Sequence, residues 1–375
     1  MRGTLPLGTV AGIPVRAHWS ALGLAALIVA GLGGVVLPRA MPGLDHRQYW
    51  PVAVVTGVLF MASLLVHEVA HALTARRCGL KAVAITIWGL GGSTELEQEA
   101  KNPRVELAVA AAGPLASLGI AVLAFLAFLI MPKATLPASA VVWLATMNLL
   151  LGLFNLLPGD PLDGGRVLHA LLWWRFADRF RADRASARAG HMLGTTLIAL
   201  GLFGTLFWGW LGGLWLLPLG WFIVTAARQE LTVKIARAGL RGLAVREVMT
   251  PDPDRAPAWM TVQEFVDRVV LGSRQTVFPV VSVHGAPIGS VSLFMLMAVP
   301  REHRSVTRIE TLRVARRPVR VVSPDDEACR LLEQPARGQL IAVVEGGRLV
   351  GMVTGTDLDR ILGQALLRAG VDATG

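Results

Sequence analysis

The chain has 375 residues, 53% hydrophobic and 17% charged, with a formal net charge of +10. At roughly 150 residues per domain this is room for two or three domains, and a charged share well below the ~25% of soluble proteins excludes an all-soluble enzyme, a disordered chain and a fibrous repeat. Two cysteines, Cys78 and Cys329, exclude a disulfide framework or a Cys-rich zinc site, while the positive balance fits either nucleic acid or loops facing an anionic leaflet.

Apolar residues dominate 19–37, 52–73, 105–131, 141–157 and 193–227. A spanning helix needs ~20 of them. The last stretch holds a hairpin of two short helices broken near 209–213, so about six spans are expected. The first stretch is too long for a signal-peptide core, and no small-residue cleavage site follows it. Beyond about residue 227 the hydropathy falls, which predicts a soluble tail.

Arginines choose the orientation. Arg2 and Arg16 precede the first span; Arg76, Arg77, Lys81, Lys101 and Arg104 separate the second and third; six arginines between 166 and 188 separate the fourth and fifth; Arg228 follows the sixth. The opposite loops carry only Arg39, Arg47 and Lys133. The expected fold is a polytopic α-helical membrane protein followed by a cytoplasmic α/β tail, with both termini cytoplasmic. Residues 1–227 form the membrane domain, 228–241 a joint and 242–375 the tail. The charge then needs no nucleic acid to explain it.

Within the second span lies Val66-His67-Glu68-Val69-Ala70-His71. His67 and His71, four apart, share a helix face and can hold one metal ion, with Glu68 beside them as a base for water. Ionisable groups inside a span are expensive and mark function. His67 precedes Arg76 by nine residues, ~13 Å of helix, which puts the site inside the hydrocarbon nearer the cytoplasmic face. A third ligand is offered after the fourth span, where Asn155-Leu156-Leu157-Pro158-Gly159-Asp160-Pro161-Leu162-Asp163-Gly164-Gly165-Arg166 breaks the helix. Asp163 is the candidate and Asp160 its rival, which fits a turn role equally well. His18 reads as structural, and His169 and His191 as interfacial residues at the membrane face.

H-E-V-A-H in one span with N-x-x-P-x-x-P-L-D-G-G-R after a later one resembles the site-2 protease family of intramembrane zinc metalloproteases. Gly12-Ile13-Pro14-Val15 with His18-Trp19, the run from Gly89 to Thr94, and Glu106 with Ala112-Gly113-Pro114 add to the resemblance, which covers roughly residues 8–225. It implies one Zn2+ per chain on His67, His71 and Asp163, Glu68 as base, and Asn155 holding the active-site region or substrate backbone. Gly159-Asp160 departs from the family, where an apolar pair is more usual. The stretch 85–94 reads either as a turn or as an extended edge to which a substrate strand adds, and the resemblance favours the edge.

The tail repeats one pattern of strand, helix, strand, strand, helix. The first copy runs from Val245-Arg246-Glu247-Val248-Met249-Thr250-Pro251 through a helix at 262–270, a strand at 277–283 and the stretch 285–292; the second runs from 319–322 through a helix at 327–333, a strand at 340–344 and the stretch 345–354. The copies, about 242–304 and 312–368, resemble a tandem pair of cystathionine-β-synthase-type (CBS) domains. That resemblance implies ATP or another adenine nucleotide as a regulatory ligand at Thr354 and Asp357, and a homodimer through the pair. The first copy departs, with Met295 in place of the aspartate; Arg274, Arg316 and Arg317 are candidate phosphate partners. The expected activity is zinc-dependent cleavage of a transmembrane helix in a membrane-tethered regulator such as an anti-sigma factor. The alternative is a transporter or channel with CBS regulatory domains.

Overall fold

The computed structural model describes residues 3–89, 91–209, 211–240, 242–312, 319–332 and 340–368. Arg316 and Arg317 lie outside them. The chain divides into two units, Met1–Leu231 and Thr232–Gly375.

The first unit opens on a hairpin, β1 (Thr4–Val10) and β2 (Ile13–His18). Its turn places Ala11 and Gly12 at φ 50° and 79°, a conformation that suits glycine in tight hairpins. Along β2, Ile13, Val15 and Ala17 are buried, the period-2 pattern of a half-covered strand. Then follow α1 (Trp19–Gly31), a short π segment Leu32–Val36 and α2 (Leu37–Ala40), which together make the first long apolar helix.

Helix α3 (His46–Arg77) has 32 residues, about 48 Å at 1.5 Å per residue. Ala53, Gly57, Leu64, His67, His71 and Ala75 form its buried stripe, while Val54, Val55, Val58, Leu59 and Val66 are exposed. An apolar outside around a small and polar inside is the inverse of a soluble helix and suits lipid. Strand β3 (Ala82–Trp88) runs parallel to β2 and antiparallel to β4 (Gly91–Leu96). The sheet order β1-β2-β3-β4 leaves β4 at an edge. Ile13, Val15 and Ile85 of the sheet pack with Ala72 of α3.

Helix α4 (Pro103–Ile130) starts at an Asn102 cap, whose side chain accepts from the Val105 amide at 2.9 Å, and α5 (Leu136–Asn155) starts at a Thr135 cap. Helix α6 (Asp163–Phe176), 14 residues, is about 21 Å long, too short to cross ~30 Å of hydrocarbon. Helix α7 (Arg179–Trp208) begins at an Asp178 cap and ends at Gly209; α8 (Leu216–Leu240) follows a 3-10 turn at Leu211–Trp215. Six helices are long and apolar enough to cross a membrane, so the first unit is a polytopic helical membrane protein. Two boundaries differ from the hydropathy reading. The fifth span starts at Arg179, and the stretch read as a joint is helical to Leu240. Arginine and alanine form helix well while arginine lowers hydropathy, so apolar runs undercount both ends.

The second unit holds the repeat. After α9 (Val245–Val248), β5 (Thr250–Pro251) and β6 (Ala256–Pro257) come α10 (Val262–Arg268), β7 (Val277–Val281), β8 (Pro287–Ser292) and α11 (Leu293–Met297). The second copy has β9 (Arg320–Val322), β10 (Ile341–Glu345), β11 (Arg348–Val353) and α12 (Gly355–Arg368). The sheets β6-β7-β8 and β9-β10-β11 share one topology, parallel then antiparallel, and β5 of the first copy joins the second sheet beside β11. Phe265 and Phe278 lie in the core of the first copy, and Leu331 and Ile341 in that of the second. Where the sequence reads a helix at 327–333, the described residues form only a 3-10 turn, Ala328–Leu332.

Candidate metal centre

Three elements deliver the site. Helix α3 carries His67 and His71 one turn apart; the start of α6 carries Asp163; α4 lies against both. His67 Nε2 is 3.1 Å and His71 Nε2 3.2 Å from Asp163 Oδ2, and the two Nε2 atoms are 3.2 Å apart. Among the described residues this is the one group of three or more such side chains able to share a metal ion. Asp160 is not part of it. That carboxylate is fully buried and lies 3.0 Å from Ser186 Oγ on α7, which makes it a turn anchor.

The opposite ring nitrogens fix the imidazoles. His71 Nδ1 donates to the Val109 carbonyl at 2.7 Å, and His67 Nδ1 lies 2.9 Å from Ser117 Oγ. With Nδ1 protonated on each ring, both Nε2 atoms point lone pairs at one spot beside a carboxylate oxygen. Such a set repels itself unless a cation sits within it. Tetrahedral zinc with bonds of ~2.0–2.1 Å holds ligand atoms about 3.3–3.4 Å apart, close to the spacing seen. Space is left for the ion by Gly113 on α4: a Cβ there would lie 2.1 Å from His71 Nε2 and 2.6 Å from His67 Nε2.

Glu68 is buried, and Thr94 Oγ1 on β4 donates to its Oε2 at 2.9 Å. A Cβ on Gly92, also on β4, would fall 2.2 Å from Glu68 Cγ. The edge strand therefore passes directly over Glu68. Asn155 ends α5, and its side-chain amide donates to the Leu151 carbonyl at 3.0 Å; no described hydrogen bond joins it to the histidines or Glu68. His18 caps α1, accepting from the Ser20 amide. His169, which the sequence places at the membrane face, is buried, 2% exposed. Ser117 and Val109 carried no sequence signal, since they act on histidines 50 and 38 positions away. Gly113 did carry one, inside Ala112-Gly113-Pro114. In the second unit, Thr354 Oγ1 donates to Asp357 Oδ2 at 2.7 Å and Thr250 Oγ1 to Oδ1 at 2.9 Å, which brings the two candidate nucleotide residues together.

A bundle of apolar-surfaced helices around a His-His-Asp cluster able to share one metal ion fits the class of membrane metalloproteins. The sequence matches Peptidase family M50 over residues 55–139 and 133–200, and the CBS domain over 311–363. "Putative zinc metalloprotease Rip3" of Mycobacterium tuberculosis is 40% identical over 369 residues, covering 96% of this chain and 93% of its own. "Zinc metalloprotease MJ0392" of Methanocaldococcus jannaschii is 26% identical over 364 residues, covering 96% and 97%. A solved site-2 protease from that organism is 24% identical, covers 61% of this chain and 95% of its own, and superposes with a TM-score of 0.44. The chain belongs to Peptidase family M50, the site-2 proteases, and carries CBS sequence at its C-terminal end.

Proposed function

We propose that the chain is an intramembrane zinc endopeptidase that cleaves a transmembrane helix of a membrane-tethered regulator, an anti-sigma factor being one such protein. The observation that carries this reading is the convergence of His67, His71 and Asp163 within 3.2 Å beside Glu68, on helices whose outer faces are apolar. Zinc bound there would polarise the scissile carbonyl and activate water. Glu68 takes the proton of the attacking water and passes it to the leaving amine. Thr94 holds the Glu68 carboxylate for that transfer. A helical substrate hides its carbonyls and has to unwind. The edge of β4 receives the unwound segment as an added strand, running beside the base. Asn155 steadies the substrate backbone through its side-chain carbonyl.

The arginine distribution supports a cytoplasmic N-terminus and tail. The CBS pair takes an adenine nucleotide at Thr354 and Asp357, associates as a homodimer and modulates cleavage. Glu68→Gln tests the chemistry. In the purified full chain with a helical membrane substrate, it abolishes cleavage and leaves zinc bound; cleavage at the wild-type rate would exclude Glu68 as the base.

A further inference from the structure

His67 and His71 keep their spacing because one helix carries both. Asp163 has no such guarantee. It comes from 92 residues beyond His71, after a proline-broken turn, on a helix that does not span. Something has to hold α6 so that its first residue meets the imidazoles.

His169 lies six residues along α6 from Asp163, roughly 9 Å, and its side chain is 2% exposed. Nδ1 is 2.9 Å from Glu106 Oε2 on α4, and Nε2 is 3.2 Å from Asp183 Oδ1 on α7. Trp173 packs its ring near the imidazole, centroids 6.0 Å apart. Glu106 falls on a stripe of α4 with Val109, Gly113 and Ser117, at helical spacings of three and four. That stripe touches His169, His71, the cleft between the two Nε2 atoms, and His67 in turn. One face of α4 therefore sets the imidazoles and grips the helix bearing the third ligand.

We infer that His169, bridged between Glu106 and Asp183, is a positioning residue: it fixes the pose of α6 and with it the reach of Asp163 to the metal. The inference rests on the metal-centre reading above and adds a residue to it that touches neither metal nor substrate.

The bridge needs charge. A neutral imidazole has one N–H, and two carboxylates require two donors. Burial disfavours the imidazolium, but the Asp183 and Glu106 carboxylates, at ion-pair distance from its two ring nitrogens, outweigh it and push His169 up to about 9. The charged groups facing the ring are Glu106 from α4 and Asp183 from α7; Arg166, one turn earlier on α6, acts on Glu106 as well. A raised value means that the bridge is fully formed below the ordinary histidine pKa and is lost as pH rises through about 9.

The test is Zn2+ affinity, measured by chelator competition on the metal-stripped full chain in detergent. His169→Gln and Asp183→Asn each weaken zinc binding about tenfold or more at neutral pH, the usual cost of losing a ligand's support. The ratio of wild type to either variant falls toward one above pH 9, where the wild-type ring is neutral too. A merely structural loss would leave that ratio constant with pH. If one variant fails to fold, the other carries the comparison. Affinities within twofold of wild type, or a ratio unchanged through pH 9, overturn the inference while zinc binding by the wild type still stands. A wild type that binds no zinc overturns the metal-centre reading itself, and the inference with it.

Discussion

Glu68 owes its orientation to one hydroxyl. Its carboxylate is buried, accepts from Thr94 Oγ1 at 2.9 Å, and has Gly92 pressed against its Cγ. A hydrogen bond to a charged group contributes about 1.5–3 kcal/mol, equivalent to roughly ten- to hundredfold in rate if it is needed in the transition state. Thr94→Val therefore lowers kcat by about that factor with a smaller change in KM, and Thr94→Ser restores most of it. Steady-state kinetics on the two variants check this; equal kcat in both would remove the hydroxyl from the reaction. At this scale His67, Glu68 and His71 were legible because all three fit in one helical turn. Asp163 was the candidate ligand, but the role of its rival Asp160 stayed open, since three residues of turn say nothing about what the second carboxylate meets. Ser186 decides it by occupying Asp160. Nothing in the sequence signalled that His169 is buried, because its carboxylate partners come from α4 and α7.

The turn from Pro158 to Leu162 shows how an element is seated. Gly159 backs onto the Gly190 backbone, where a Cβ would meet Gly190 Cα at 2.6 Å. Ser186 Oγ lies 3.0 Å from Asp160 Oδ1 and 2.7 Å from the Gly165 carbonyl. This explains the polar Gly159-Asp160 pair where the family more often has apolar residues: the turn docks on α7 through a buried hydrogen bond. Ser186→Ala removes one hydrogen bond to a buried carboxylate and costs about 1.5–3 kcal/mol. Thermal unfolding in detergent reads that as a lower midpoint; an unchanged midpoint would mean that the turn is seated otherwise. Helix α6 itself was invisible to hydropathy, being short and interrupted by charge. The hairpin β1–β2 carried a signal that was not read, the alternation Ile13, Val15, Ala17 after Ala11-Gly12. The stretch after β3 was open between turn and edge, and it is the edge strand β4.

Across the whole molecule, the six apolar helices and the twofold tail pattern followed from hydropathy and repeat length, because both are carried by many residues at once. Helix ends did not, since charge at a terminus lowers hydropathy without ending the helix. The carrier reading has lost its footing: the sequence belongs to a peptidase family, and its intramembrane histidines converge with a carboxylate on one point. Everything proposed for activity depends on that point holding zinc. The most direct measurement is zinc per chain in the purified full-length protein beside Asp163→Ala. We expect one zinc in the wild type and severalfold less in the variant, whose two remaining imidazoles bind weakly. Equal zinc in both proteins, or none in the wild type, would contradict the assignment.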